Sequence, residues 1–195
     1  GAEYTYDALK DHALGYDVVT RQTVRTGSMF VQNEWKNDKW GLLLGGRFDK
    51  HNLINHLIFS PRANIRFNAS RNFNIRLTYA AGFRAPQTFD EDLHTSMAGG
   101  ERIKTYLAKN LKEERSNSIS VSADMYHNFG NVQANLLVEM FYTHLNNVFA
   151  QRVLNEHDDN NIRIMERFNA NKASVWGMNI EGKAAFTKWF QLQSG

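Results

Sequence analysis

The chain has no cysteine, which excludes disulfides, thiol catalysis and cysteine-based zinc sites together. Compartment stays open on that ground, since a cysteine-free chain suits an oxidising periplasm without requiring one. Long apolar runs are missing too. No stretch approaches the ~18 uninterrupted apolar residues of a spanning helix, so helical membrane insertion is excluded. Two prolines and 13 glycines rule out collagen-like and proline-rich chains, and 12% aromatic content argues against disorder. Charge of one sign is scarce: 23 basic and 20 acidic residues leave a scattered net +3, with no electrostatic footprint for nucleic acid. There is no G-x-S-x-G elbow, P-loop or dinucleotide fingerprint. His51, His56, His144 and His157 lack metal-ligand spacing. No enzyme, no cofactor and no metal site is expected. Gly1 to Lys10 is polar rather than a secretion leader, so the start reads as interior to a longer protein; Phe190 to Gly195 reads as the beginning of another strand.

What is present is alternation. From Leu57 the odd positions are Leu57, Phe59, Pro61, Ala63, Ile65 and Phe67, against Ser60, Arg62, Asn64, Arg66 and Asn68. After a tight turn at Ser70 to Asn72, Phe73, Ile75, Leu77, Tyr79, Ala81 and Phe83 oppose Asn74, Arg76, Thr78 and Arg84. A period of two places each set on its own face of a strand. Ordinary globular strands have about 5 or 6 residues, whereas a tilted bilayer-crossing strand needs about 9 to 11. These runs have the second length. The same pattern marks Ser28 to Trp35, Trp40 to Asp49, Ser118 to Tyr126, Val132 to Tyr142 and Trp176 to Phe186, while Gly15 to Arg25 is β-prone but irregular. About 30 residues from Pro86 to Glu114 show no sustained alternation, and a polar stretch lies between Gln151 and Lys172, where Ile162 to Phe168 reads as a strand extension above the membrane.

The connections run short, medium, short, long, short, long, short. Antiparallel strands put every second connection on one side, so all short turns share one surface and all long ones the other. That asymmetry, with aromatics near strand ends, belongs to outer-membrane β-barrels. The expected fold is all-β: an antiparallel meander of long strands, about 7 to 9 of them across residues 1–195, forming a segment of a transmembrane barrel with long loops near 86–114 and 151–172. The competing reading is a soluble all-β ligand-binding module with an aromatic-rich core.

Particular phrases then speak to a family. Ser28 to Trp35 (SMFVQNEW), Gly82 to Pro86 (GFRAP) with Phe89 to His94 (FDEDLH), Asn110 to Ser116 (NLKEERS) and Phe141 to Phe149 (FYTHLNNVF) resemble, in order, the C-terminal β-barrel portion of TonB-dependent outer-membrane receptors. Where members of that family often carry proline, this chain has Glu113. The resemblance implies a 22-stranded barrel filled by an N-terminal plug, of which this chain is about a third and from which the plug is absent. It implies energy-coupled uptake of a bulky nutrient: ferric siderophore, vitamin B12 or haem, with oligosaccharide behind them. It further implies a bacterial outer-membrane location. The partners implied are TonB–ExbB–ExbD, reached through the plug, then outer-membrane lipid, small-molecule cargo and a surface lipoprotein.

Candidate substrate-binding residues lie on the lumen face and in the long loop. Arg47, Arg66, Arg76 and Arg84 share the inward side with Glu34, Asp124, Glu139 and Glu181; they suit an anionic cargo or the plug, and equally a solvated wall of paired charges. Asp90, Glu91 and Asp92 are the oxygen donors a hard cation takes, yet without EF-hand spacing an acidic solvated loop explains them as well. His94 has one sharper alternative, by resemblance alone. In haem receptors of this family a histidine between the FRAP and NPNL boxes binds the iron, and here the second box reads KNLK, a partial match.

Overall fold

The computed structural model describes residues 1–14, 18–87, 103–155 and 162–195. Its strands are β1 (Ala2–Ala13), β2 (Val18–Lys36), β3 (Trp40–His51), β4 (Ile58–Ser70), β5 (Phe73–Arg84), β6 (Ile103–Leu107), β7 (Glu114–Phe129), β8 (Val132–Asn146), β9 (Phe149–Asn155), β10 (Arg163–Asn169), β11 (Lys172–Ala185) and β12 (Gln191–Ser194). Nine of them form one sheet in the order β1-β2-β3-β4-β5-β7-β8-β11-β12, and β6-β10-β9 form a second. The large sheet is antiparallel throughout and ends in open edges at β1 and β12. Among the described residues no helix is long and apolar enough to cross a membrane.

Local chemistry sets the turns on one rim. At 37–39 the Asn37 Oδ1 accepts from the Lys39 and Trp40 amides at 2.9 and 2.8 Å, an Asx turn that reverses the chain. At 130–131 Gly130 sits at φ +61°, the conformation a two-residue hairpin asks of its first central residue. The opposite rim carries the connections 52–57, 85–113 and 147–171. The small sheet is built there. β6 comes from one long connection and the β9–β10 hairpin from the other, and β6 pairs with β10 in parallel.

Register carries the apolar side chains onto one face. Trp35 pairs with Leu42, Leu42 with Ile65, Ile65 with Leu77, Leu77 with Val121, Val121 with Met140 and Met140 with Met178. This row crosses seven strands without a polar residue, and nothing covers it: Met140 is 59% and Met178 55% exposed. One residue along, the row reads Gly41, Arg66, Arg76, Ser122, Glu139 and Asn179. Among the described residues only Ile54, Ile58, Ala85 and Ile162 are buried hydrophobics, the first three in one small cluster with Phe83 at the long-loop rim. A soluble module would have buried the row instead, because an exposed apolar patch of this extent is not sustained in water.

Aromatics bound the apolar band on both sides. Trp40 and Phe67 pack at 4.5 Å near the short turns, and Phe48 stacks on Phe59 at 4.7 Å toward the long-loop rim. Trp40 and Phe48 are about 27 Å apart along β3, or about 20 Å along the membrane normal at the ~40° tilt of such barrels. That spacing matches an interfacial girdle on either side of a thin hydrocarbon layer.

Four elements depart from the sequence reading. β1 occupies the segment read only as polar, β2 begins at Val18 rather than Ser28, and β6 and most of β9 lie inside stretches read as loop. For β1 and β2 the physical reason is shared: they stay paired out to Ala13 and Val18, whereas β3 joins β2 only from Thr26 onward. Beyond that point both faces of the hairpin are free of lipid, and alternation is no longer required.

Candidate functional site

Two places gather charge: the concave face of the large sheet and the rim where the long connections meet. On the concave face Arg66 and Arg76 are direct cross-strand partners. Like charges placed opposite each other repel, and among the described residues neither has a carboxylate within ion-pair distance. Arg62, four residues before Arg66 on the same face, donates to Gln32 Oε1. Asp124 is held elsewhere, by Asn135 and by the Tyr126 hydroxyl at 2.9 Å. The middle of the wall thus holds two guanidinium groups side by side.

Arg47 behaves differently. Its Nε donates to Asp49 at 2.8 Å, and its Nη2 reaches Ser28 Oγ at 2.8 Å and Glu3 at 3.0 Å. Asp49 is itself buried and also accepts from Ser28 at 2.6 Å. This knot joins β1, β2 and β3 and engages the guanidinium through Nε and Nη2, so Arg47 stands apart from the Arg66–Arg76 pair.

At the rim Arg84 Nη2 donates to Glu114 Oε2 at 3.3 Å, and the same oxygen accepts from the Phe149 amide at 3.0 Å. The Phe149 ring meets two guanidinium groups, Arg84 at 4.9 Å and Arg167 at 5.5 Å from its centre. Arg167 is buried and donates to the Gln87 carbonyl at 3.2 Å. One aromatic side chain thereby links β5, the strand that ends in the GFRAP phrase, to β9 and β10 of the small sheet. Asp90, Glu91, Asp92 and His94 lie outside the described residues.

A second rim contact ties the 52–57 connection to β7. Glu113 is buried; its Oε1 accepts from Arg115 Nε at 2.8 Å and lies 3.1 Å from His56 Nε2. Arg115 Nη2 is 2.9 Å from the same His56 nitrogen, so Nε2 either donates to Glu113 or accepts from Arg115, according to its proton. Burial pushes the Glu113 carboxyl up, but its own backbone amide, the Arg115 hydrogen bond, and the charges of Arg115 and His56 together hold it below the usual value of 4.5. A lowered folded value means that the stabilisation is complete above 4.5 and is lost as pH falls through that folded value. Acidification to well below the usual carboxylate range is therefore expected to free the 52–57 connection, read by faster hydrogen exchange of its amides. Glu113→Gln should show the freed pattern already at neutral pH; a protected connection in that variant would contradict the assignment.

Phe149, Arg167, His56, Glu113 and Glu114 were not singled out as site residues from sequence. The charged run Glu113 to Arg115 sits inside the phrase NLKEERS and was visible there. What it contacts depends on how two remote connections meet, which no local spacing encodes.

The family model described as TonB dependent receptor-like, beta-barrel, matches residues 1–195. None of the curated proteins matches the sequence. Among solved structures, the siderophore receptor PirA from Pseudomonas aeruginosa is similar at a TM-score of 0.71 and 18% identity, over 99% of this chain and 38% of that one. The ferric enterobactin receptor PfeA from the same organism, as its G324V mutant, is similar at a TM-score of 0.66 and 19% identity, over 94% of this chain and 29% of that one. The FrpB iron transporter from Neisseria meningitidis (F5-1 variant) is similar at a TM-score of 0.59 and 18% identity, over 87% of this chain and 25% of that one. The chain thus spans between a quarter and two fifths of the length of these relatives, and the open edges of its sheet fit a partial wall.

Proposed function

The chain belongs to the family of TonB-dependent receptor β-barrels of the bacterial outer membrane, and from that premise we propose that it forms part of the wall of an importer for a ferric siderophore. Members of this family are transport receptors, not enzymes. The observation that carries the reading is the one-sided apolar row from Trp35 to Met178, backed one residue away by the arginine-bearing row. An apolar face toward lipid and a wet, charged face toward a lumen are what a transport barrel requires. Siderophore and iron are named for the structural neighbours, which favours that cargo over vitamin B12, haem or oligosaccharide.

In this reading the work is divided. The long connections capture cargo outside, the Arg66–Arg76 face attracts the anionic complex or seats an acidic part of the plug, and TonB–ExbB–ExbD supply energy through that plug. Arg84, with Asp90, Glu91, Asp92 and His94 following it, stands at the entrance. A surface lipoprotein is the proposed partner on the loop side. The purified full-length receptor should bind a ferric catecholate and not cobalamin; binding of cobalamin alone would overturn the cargo assignment.

Charge at Arg66 and Arg76 should act chiefly on association, because steering by a charged cleft raises on-rates and is screened by salt. Replacing both by glutamine in the full-length receptor is expected to slow association of an anionic ferric siderophore several-fold at low ionic strength. At high ionic strength the variant and the parent should converge. Stopped-flow fluorescence reads both, and a parental rate independent of salt would remove these arginines from the site.

A further inference from the structure

The connection between β3 and β4, residues 52–57, is tied down along its length at the long-loop rim. Asn52 extends the edge of β2: its amide donates to the Arg25 carbonyl at 3.0 Å, its Nδ2 to the Thr23 carbonyl at 2.9 Å, and its Oδ1 accepts from the Arg25 amide at 2.9 Å. Ile54 is buried with Ile58 and Ala85, and the Lys50 ammonium donates to the Ile54 and Asn55 carbonyls at 3.2 and 2.9 Å. The connection is thus a strap from β2 to the residue that follows β5.

One contact in this strap depends on a proton. The Leu53 amide donates to His51 Nδ1 at 3.1 Å, so the buried ring is neutral and its single proton sits on Nε2. Two positions back on the same face of β3 lies Asp49, only 2% exposed, whose Oδ1 is taken by Ser28 and Arg47. Its Oδ2 has no hydrogen-bond partner among the described residues. An orphaned carboxylate oxygen in such a setting is rare and costly, and a protonated His51 would supply the missing donor. The other charged groups nearby are engaged or turned away. Arg47 of β3 holds Asp49 and Glu3 of β1, and Arg25 of β2 lies over the Tyr6 ring. β4 and β5 meet the strap through Ile58, Ala85 and Phe83, which carry no charge. Burial holds the imidazole below its usual value of 6.5, against the pull of the Asp49 charge. His51 lies beyond Phe48 of the aromatic girdle and so outside the hydrocarbon layer.

From this arrangement we propose that the 52–57 connection is an acid-opened strap, in which protonation of His51 turns the imidazole from the Leu53 amide to Asp49 Oδ2 and releases the strap from β2 and from Ala85. An imidazolium carries protons on both nitrogens, so Nδ1 would meet the Leu53 amide donor to donor, whereas the carboxylate gains a charge-assisted hydrogen bond. The closed strap refuses a proton that the open one accepts. Its stability is therefore complete above 6.5 and falls as pH drops from there through the lowered value. Glu113 holds the far end through His56 and yields only at lower pH, so release proceeds in two stages. The device needs this rim to face water and is independent of any cargo.

Hydrogen exchange of the full-length receptor in detergent, read by mass spectrometry and normalised to unfolded peptides at each pH, tests this without any ligand. Between about pH 7.5 and about pH 5.5, the range in which histidine titrates, peptides covering 51–54 and 23–26 should exchange several-fold faster at the acid end. Those covering 60–66 of β4 should not change. His51→Asn keeps an acceptor for the amide two residues on, as in an Asx turn, and does not titrate in this range, so its strap should stay closed at both pH values. Asp49→Asn removes the receiving carboxylate, so opening should begin at a lower pH than in the parent. A parental strap equally protected at both pH values would overturn the proposal. So would acid opening of His51→Asn at the parental pH, which would assign the release to Glu113, or an unmoved onset in Asp49→Asn.

Discussion

Arginine in place of Val121 is expected to destabilise the full-length barrel by about 2–4 kcal/mol, whereas arginine at the adjacent Ser120 should cost less than about 1 kcal/mol. Val121 lies in the apolar row between Leu77 and Met140 and is 46% exposed, while Ser120 pairs with Thr78 and Phe141 on the concave side. On a soluble protein's surface an exposed valine would accept arginine with little penalty. Toward hydrocarbon the same exposure makes the charge costly. Urea unfolding of the two variants in lipid vesicles gives both values directly. Similar costs at the two positions would mean that Val121 does not face lipid.

The second large effect is expected at Phe149. Its ring is shared by Arg84 and Arg167, and its amide is tied to Glu114. Removing the ring in Phe149→Ala forfeits two cation–π contacts of about 0.5–1 kcal/mol each together with the ring's own packing. A total near 3 kcal/mol, the lower end for Phe→Ala, is expected, concentrated at the junction rather than spread through the wall. Hydrogen exchange should therefore rise in β9 and β10 and stay unchanged in β3 and β4. If the small sheet orders the entrance for cargo, siderophore affinity falls with it. Retained protection of β10 would show that the parallel pairing with β6 suffices without the aromatic link.

How far the sequence reaches follows from where lipid imposes a period. Between Leu57 and Phe83, and from Val132 to Tyr142, one face meets hydrocarbon and the other water. The apolar face there is unbroken, and strands, faces and turns were all legible. Above the girdle both faces meet water. β1 has Lys10 and His12 in line with Tyr4 and Tyr6, so its alternation decays although its pairing with β2 continues to Ala13. β6 was hidden for another reason: its partner β10 lies some sixty residues away and runs parallel, a contact that five residues of local pattern cannot announce. The concave arginines at 66 and 76 could be seen to share a face. That they are direct partners required the register of the Ser70 to Asn72 turn, where a bulge between Asn68 and Ser70 shifts the pairing. Arg84 was visible through the GFRAP phrase and Phe149 closes the phrase FYTHLNNVF, but nothing local in either says that the two meet.

The central claim is that side chains along each strand alternate between lipid and lumen. Because this chain has no cysteine, single cysteines introduced from Val132 to Tyr142 of the full-length receptor would be its only thiols in this region. Labelled in intact outer membranes with a bilayer-confined maleimide and separately with a membrane-impermeant, water-soluble one, they report the face of every residue. Cysteines at 134, 136, 138 and 140 should react with the bilayer-confined reagent, and those at 133, 135 and 139 with the water-soluble one alone. Reaction without a period of two, or apolar positions shielded from both reagents, would contradict the account.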